Sequence, residues 1–152
     1  MVLTRADLGH AQGIVDLIDL WYADKRLLRR TLDDVMQSIA SFVVATEGDK
    51  VVGCASLFHY HKDLSEVRSL GVHPDFQGKG LGRKLVEECI TEAKRLKVER
   101  VFALTLEVPF FERLGFKTSE KTLLPEKIWR DCIGCARFPA CDEVAVIRNV
   151  RD

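Results

Sequence analysis

Ser69-Leu70-Gly71-Val72-His73-Pro74-Asp75-Phe76-Gln77-Gly78-Lys79-Gly80-Leu81-Gly82-Arg83 is the stretch on which the reading of the fold turns. Its first part is extended and apolar, and it stops at His73-Pro74-Asp75 because proline cannot donate to a sheet ladder. Glycines then alternate at 78, 80 and 82. From Gly80 onward Leu81, Leu85, Val86, Cys89, Ile90, Ala93 and Leu96 recur at helical spacing, as far as Glu99 and Arg100. The stretch therefore reads as strand, tight turn, glycine-rich loop and long helix. Unpaired N–H groups and the dipole at a helix N-terminus favour an anion. Glycines let a phosphate approach the backbone with no Cβ in the way, and Lys79, Arg83 and Lys84 bring positive charge to the same end. A Walker A loop is excluded because Gly80, not Ser or Thr, follows Lys79. A G-x-G-x-x-G fingerprint is excluded because positions 83 and 85 are Arg and Leu. A plain strand-to-helix turn would not require three alternate glycines among cations.

Working outward, the first element read is a helix after Asp7, its N-cap, with Ala11, Ile14, Val15, Ile18, Trp21 and Tyr22 on one stripe. A second, shorter helix follows Thr31 through Leu32, Val35, Met36 and Ile39, with Thr31 and Asp34 in a capping-box arrangement. The period then changes. Phe42–Thr46 and Val51–Phe58 read as two strands of a hairpin turning at Glu47-Gly48-Asp49-Lys50. A further strand runs from Glu66 to Val72. Beyond the long helix come a buried strand, Val101–Leu106, a short helix Pro109–Leu114 ended by Gly115, a strand beginning at Phe116, and a last strand at Glu143–Ile147. Two helices, an antiparallel meander, and then helix, strand, helix and strand make an α+β (mixed α/β) sheet protein, not an alternating doubly wound one. No boundary divides the chain, so residues 1–152 read as a single domain.

Composition limits the function classes. The 152 residues are 47% hydrophobic and 30% charged, enough for a real core in an ordered globular chain. Lys and Arg number 23 against 23 Asp and Glu, so the bulk positive field of a nucleic-acid binder is missing. Apolar runs are too short to span a membrane, and Met1–Asp7 shows no secretory signal. The expected setting is cytoplasmic, where five cysteines are free thiols rather than a disulfide framework. Cys54 and Cys89 lie on apolar faces and read as core. Cys132-x-x-Cys135-x5-Cys141 could supply three thiolates to zinc or iron, but no fourth ligand has convincing spacing, so no metal site is assigned.

The run Gln77-Gly78-Lys79-Gly80-Leu81-Gly82 resembles the Q/R-x-x-G-x-G/A motif of the GNAT N-acetyltransferase superfamily. Phe110-Phe111-Glu112-Arg113-Leu114-Gly115-Phe116 looks like that family's F-Y-E-K-L-G-F signature, and the order of elements agrees along nearly the whole chain. The resemblance implies a GNAT-like fold, a central, mostly antiparallel sheet flanked by helices, with acetyl-CoA as co-substrate. It implies that Gln77, Gly78, Lys79, Gly80, Leu81, Gly82 and Arg83 bind the pyrophosphate and that the strand ending in Leu70, Gly71 and Val72 pairs with the pantetheine arm. A closer likeness, to short amino-acid N-acetyltransferases of the N-acetylglutamate synthase type, rests on Glu66-Val67-Arg68-Ser69-Leu70, Val101-Phe102-Ala103-Leu104-Thr105, Leu124–Cys132 and Phe138–Glu143. It implies acetylation of the α-amino group of a small amino acid, L-glutamate above all, as used in arginine biosynthesis. Acetylation of another amine, or a non-catalytic acyl-CoA-binding or metal-sensing module, is the alternative. A small-molecule amino acid is the expected partner, with no nucleic acid and no membrane, and with room for a homodimer.

Chemistry selects the remaining residues. A protonated amine has no lone pair, so a base or water relay must take its proton. Glu66, where superfamily members often carry a catalytic glutamate, is the candidate. It lies about 13 Å along an extended strand from Leu70; its other reading is a solvated strand-end carboxylate. The oxyanion needs a donor in a dry site. The resemblance points to backbone N–H near Leu70–Val72, where superfamily strands splay at a bulge that Gly71 would suit. Phe111 replaces the family's usual tyrosine and Thr105 its usual asparagine, so no general acid is assigned. Glutamate brings two carboxylates, and arginine is best shaped to hold them. Arg68 shares the strand face of Glu66, and Arg30 lies between two helices bordering the substrate side; Arg26, Arg29 and Lys127 are neighbouring alternatives.

Overall fold

A computed structural model describes residues 1–22, 30–119 and 144–150. Among these residues seven strands form one sheet: β1 (Val2–Arg5), β2 (Phe42–Glu47), β3 (Lys50–His61), β4 (Leu64–Val72), β5 (Arg100–Thr105), β6 (Lys117–Ser119) and β7 (Val144–Asn149), in the spatial order β1-β2-β3-β4-β5-β7-β6. Every neighbouring pair is antiparallel except β4 and β5. Helices α1 (Ala11–Tyr22) and α2 (Leu32–Gln37) cover one face, while α3 (Leu81–Arg95) and α4 (Val108–Glu112) cover the other. The mixed, mostly antiparallel sheet with flanking helices is the architecture expected from the sequence.

Local chemistry sets the element ends. Asp7 accepts from the Gly9 N–H at 2.8 Å and starts a short 3-10 turn that runs into α1. Thr31 caps α2 by accepting from the Asp34 N–H at 3.1 Å, while the Asp34 carboxylate pairs with Arg30. The hairpin loop is tighter than expected. β2 reaches Glu47 and β3 begins at Lys50, with Gly48 at φ +60 between them.

Three further departures have physical causes. β1 has no counterpart in the sequence reading, because it is a short edge strand of which only Leu3 packs against the core. β3 continues past Phe58 to His61, since ladder pairs such as His59 with Ser65 prevail over the polar look of that end. α3 stops at Arg95, short of Glu99, in a turn whose left-handed residue is Lys97, at φ +62. There Val98 N–H returns to Ala93 O at 2.9 Å and Lys97 N–H to Lys94 O at 3.0 Å, the bonding of a glycine-type helix end built on a lysine.

The core lies in two main layers. Val43, Ala45, Val52, Leu57, Val67 and Val101 meet Leu85, Val86, Cys89 and Ile90 of α3. On the other face Phe42, Val44, Val51 and Cys54 meet Ile14, Leu17 and Ile18 of α1 and Val35 of α2. α1 approaches β3 at Gly13, where an added Cβ would lie 2.7 Å from Val51 Cγ2. Alanine at 13 would gain about 0.8–1.0 kcal/mol of helix propensity. Against this, overpacking a β-branched neighbour costs about 1–3 kcal/mol. Gly13→Ala should therefore lower stability by about 1 kcal/mol net in urea unfolding, and an equal or higher midpoint would refute this account of the contact.

Candidate active site

Parallel strands β4 and β5 pair only over Leu64–Arg100, Ser65–Val101 and Glu66–Phe102. Beyond that point β4 runs on to Val72 and β5 to Thr105 with no ladder between them, so the sheet opens into a cleft. The edge of β4 facing this cleft carries Leu70, Gly71 and Val72. His73 N–H bonds to Val52 O at 2.8 Å, so two-residue alternation turns the Val72 backbone groups away from β3. The Val72 carbonyl accordingly accepts from the Trp21 indole at 3.1 Å.

The bulge expected near Leu70–Val72 begins at Ser69, one residue before that range. Cys54 pairs with Gly71 and Ser56 with Arg68. Ser69 and Leu70 thus face the single residue Ala55, a β-bulge. Ser69 carries the strain, at φ +54, in a region that glycine prefers. Its carbonyl accepts from Cys54 Sγ at 3.2 Å, and its Oγ accepts from Arg30 Nη1 at 3.0 Å.

Glu66 is only 3% exposed, which removes the reading of a solvated carboxylate. It sits in a crosswise row with Phe58, Phe102 and Ile147, on the face away from α3. A carboxylate among rings needs hydrogen bonds to remain there. Tyr60 Oη donates to Glu66 Oε1 at 2.8 Å, and Arg68 Nε lies 3.3 Å from the same oxygen. Arg68 in turn stacks over Phe58, 4.4 Å from the ring centroid, and its carbonyl accepts from Ser56 Oγ. Arg68 and Glu66 thus share one face, as the two-residue period implied. Arg30 sits differently: its guanidinium pairs with Asp34 and also donates to Ser38 Oγ at 3.2 Å.

Beyond Pro74–Phe76 the chain reaches the glycine loop. Gly78 and Gly80 have φ +78 and +75, and a Cβ added at either would meet nothing within 4 Å among the described residues. Glycine is needed there for the backbone, and among those residues nothing fills the space before it. Gly80 caps the fifteen-residue α3 without a side chain, and the first turn holds no acidic residue. The leading N–H groups of Leu81, Gly82 and Arg83 are then directed at that space. Lys79 lies 5.1 Å over the Phe76 ring, and Arg83 pairs with Glu87 at 2.9 Å. Gly82 abuts Phe110 of α4, 3.4 Å from a notional Cβ, which ties the loop to the second aromatic motif. This cradle suits a pyrophosphate.

Phe111 is buried and packs edge-on to Phe110 and Phe116, so it offers the cleft no proton. Thr105 Oγ1 accepts from the Glu107 N–H at 2.7 Å and closes the turn after β5. Cys54 and Cys89 are core residues as expected, and burial pushes both thiols up to about 12. Cys132, Cys135 and Cys141, with Arg26, Arg29, Lys127 and Trp129, lie outside the described residues. Sequence reading missed Tyr60 and Ser69. Tyr60 would have emerged from the Phe58, Tyr60 alternation once β3 was carried past Phe58, whereas nothing in the sequence marks Ser69.

Residues 38–118 match the Acetyltransferase (GNAT) domain family. An uncharacterized N-acetyltransferase of Chlorobaculum tepidum is 37% identical over 146 residues, covering 96% of this chain and 94% of that protein. An amino-acid acetyltransferase of Mycobacterium tuberculosis is 35% identical, covering 90% and 83% respectively. The solved N-acetylglutamate synthase of Neisseria gonorrhoeae, complexed with coenzyme A and N-acetyl-glutamate, superimposes with a TM-score of 0.88 at 25% identity. That match covers 99% of this chain but 35% of the gonococcal one, so this chain spans about a third of that enzyme's length. With the fold and these relatives in agreement, the chain belongs to the GNAT family and is an N-acetyltransferase.

Proposed function

We propose that the acceptor is the α-amino group of a small amino acid, L-glutamate, in the reaction used in arginine biosynthesis, carried out by one domain in the cytoplasm. The observation that carries this reading is Glu66, a buried and hydrogen-bonded carboxylate on the strand whose open edge leads into the glycine cradle. The likeness to a synthase holding N-acetyl-glutamate supports the choice of acceptor.

Acetyl-CoA supplies the activated acyl carbon. Gly78 through Arg83 hold its pyrophosphate, with Gln77 leading into the loop, while the Leu70–Val72 edge pairs with the pantetheine arm. Glu66 takes the proton from the ammonium, directly or through water, and the freed nitrogen lone pair forms the new C–N bond at the thioester carbon. N–H groups of the bulged β4 edge stabilise the oxygen on which negative charge develops. Collapse then breaks the C–S bond, the sulfur leaves with its electron pair, and the acylated nitrogen gives its surplus proton to water to leave the neutral amide. With Phe111 at the usual acid position it departs as thiolate, tolerable for a thiol of pKa about 8.5. Tyr60 orients Glu66. Arg68, beside it, reads a substrate carboxylate.

Incubating the protein and acetyl-CoA with each of the twenty amino acids, and reading free CoA, tests the acceptor. Glutamate should lead; a different amine in first place would refute the assignment. Gly80→Asp puts a carboxylate into the cradle, where like-charge juxtaposition costs several kcal/mol. Calorimetric affinity for acetyl-CoA should drop about 30-fold or more, with Gly80→Ala reporting the part due to backbone strain. Unchanged affinity in the folded aspartate variant would remove the loop from the site.

Glu66→Gln preserves shape without basicity. The rate should fall about 10²-fold at neutral pH and recover in part as rising pH frees the amine; a wild-type rate and pH profile would exclude Glu66 as base. Arg68→Ala should weaken glutamate turnover by about 30-fold, the typical result of unpairing a buried charge, with acetyl-CoA affinity little changed. If Arg68 reads the side-chain carboxylate, glutamine should lose less than glutamate, and if it reads the α-carboxylate the two should lose alike. Normal glutamate turnover would show that the carboxylate is held elsewhere.

A further inference from the structure

A serine occupies the left-handed residue of the β4 bulge. At φ +54 its Cβ crowds the following carbonyl, and a bulge that needs this conformation ordinarily takes glycine there. Such a residue persists only where its surroundings over-determine it. At Ser69 the surroundings are a weak thiol donor, Cys54 Sγ at 3.2 Å from its carbonyl, and a strong cationic donor, Arg30 Nη1 at 3.0 Å from its hydroxyl.

Arg30 is itself anchored. Nε pairs with Asp34 Oδ2, Nη2 donates to Asp34 Oδ1 at 3.3 Å and to Ser38 Oγ at 3.2 Å, and the guanidinium lies 5.5 Å from the Phe42 ring centroid. Four of the five N–H donors of an arginine thus have acceptors among the described residues, with the side chain 15% exposed. The Asp34 charge offsets that of Arg30, so the pair attracts a substrate carboxylate less than a lone arginine would. α2 is held in turn by its Thr31 cap and by buried Val35. A rigid line therefore runs from the core through α2 and Arg30 to the Ser69 hydroxyl.

We propose that Arg30 is a positioning residue that acts through Ser69, holding the β4 bulge in its left-handed form so that the Leu70–Val72 backbone stays aimed into the cleft. This rests on the proposed role of that edge, and it assigns Arg30 to the scaffold rather than to the substrate carboxylate. Ser69→Ala is the sharp variant, since it removes the acceptor while keeping the Cβ. Arg30→Ala removes the donor.

Amide hydrogen exchange over residues 70–72, measured on the ligand-free protein by NMR, should accelerate at least about 5-fold in each variant, as expected of a locally loosened segment. In turnover with glutamate, Ser69→Ala should lower kcat about 10-fold or more, the scale of a small misplacement of catalytic groups, with KM for glutamate little changed. Adding Arg30→Ala should then lower kcat by less than about 2-fold, because the two residues form one unit. Ser69→Gly, which removes acceptor and strain together, should lose less than Ser69→Ala. The proposal is overturned if exchange is unchanged in both single variants. It is equally overturned if Arg30→Ala raises glutamate KM about 10-fold or more and multiplies with Ser69→Ala, since Arg30 would then bind substrate. If the wild type acetylates no amino acid while exchange responds as stated, the brace stands and the substrate reading falls.

Discussion

Parallel strands β4 and β5 share a ladder for three residue pairs and then part at Glu66 and Phe102, so the remaining β4 backbone must find partners elsewhere. Buried backbone polar groups do not stay unpaired, and the fold meets this demand in two ways. On one side β3 follows β4 past the parting and absorbs an extra residue as the Ser69 bulge. On the other, the Trp21 indole takes the Val72 carbonyl at the edge that β5 leaves unladdered. The glycine loop and the α3 N-terminus come directly after this edge, so one unbroken strand–loop–helix segment carries both the open edge and the glycine cradle. Sheet and binding site are a single construction.

Glu66 illustrates how such a site keeps a charge out of water. Its cross-strand neighbours are Phe58 and Phe102, rings that would expel an unpaired carboxylate. Two donors, Tyr60 and Arg68, reach the same oxygen. Arg68 is screened by its stacking on Phe58, an arrangement a lysine ammonium would not reproduce.

Much of this was legible in the sequence because it depends on local rules. Alternate glycines before a periodic apolar run announce a tight loop into a helix, and both Gly78 and Gly80 take the left-handed backbone. The two-residue period put Glu66 and Arg68 on one face. What escaped notice depended on partners distant in the chain. β1 is a strand only because β2 lies beside it. The family resemblance implied a bulge near Leu70–Val72, yet its left-handed residue is Ser69 rather than Gly71, because a brace thirty-nine residues away stabilises what the serine backbone disfavours. Lys97 ends α3 in a glycine's conformation, since burying Val98 in the core outweighs the strain at the preceding residue.

Cys54 and Cys89 stand back to back across the sheet, one beneath α1 and the other within α3, and both are sealed from solvent. With their thiols pushed up to about 12, neither offers an appreciable thiolate to an alkylating reagent while its layer is closed. Each layer thus contains its own chemical clock. The rate at which Cys54 is trapped measures how often the α1–α2 layer lifts, and the rate at Cys89 measures the same for the α3 layer. Equal rates would describe a molecule that breathes as one body; unequal rates would identify the layer that opens first.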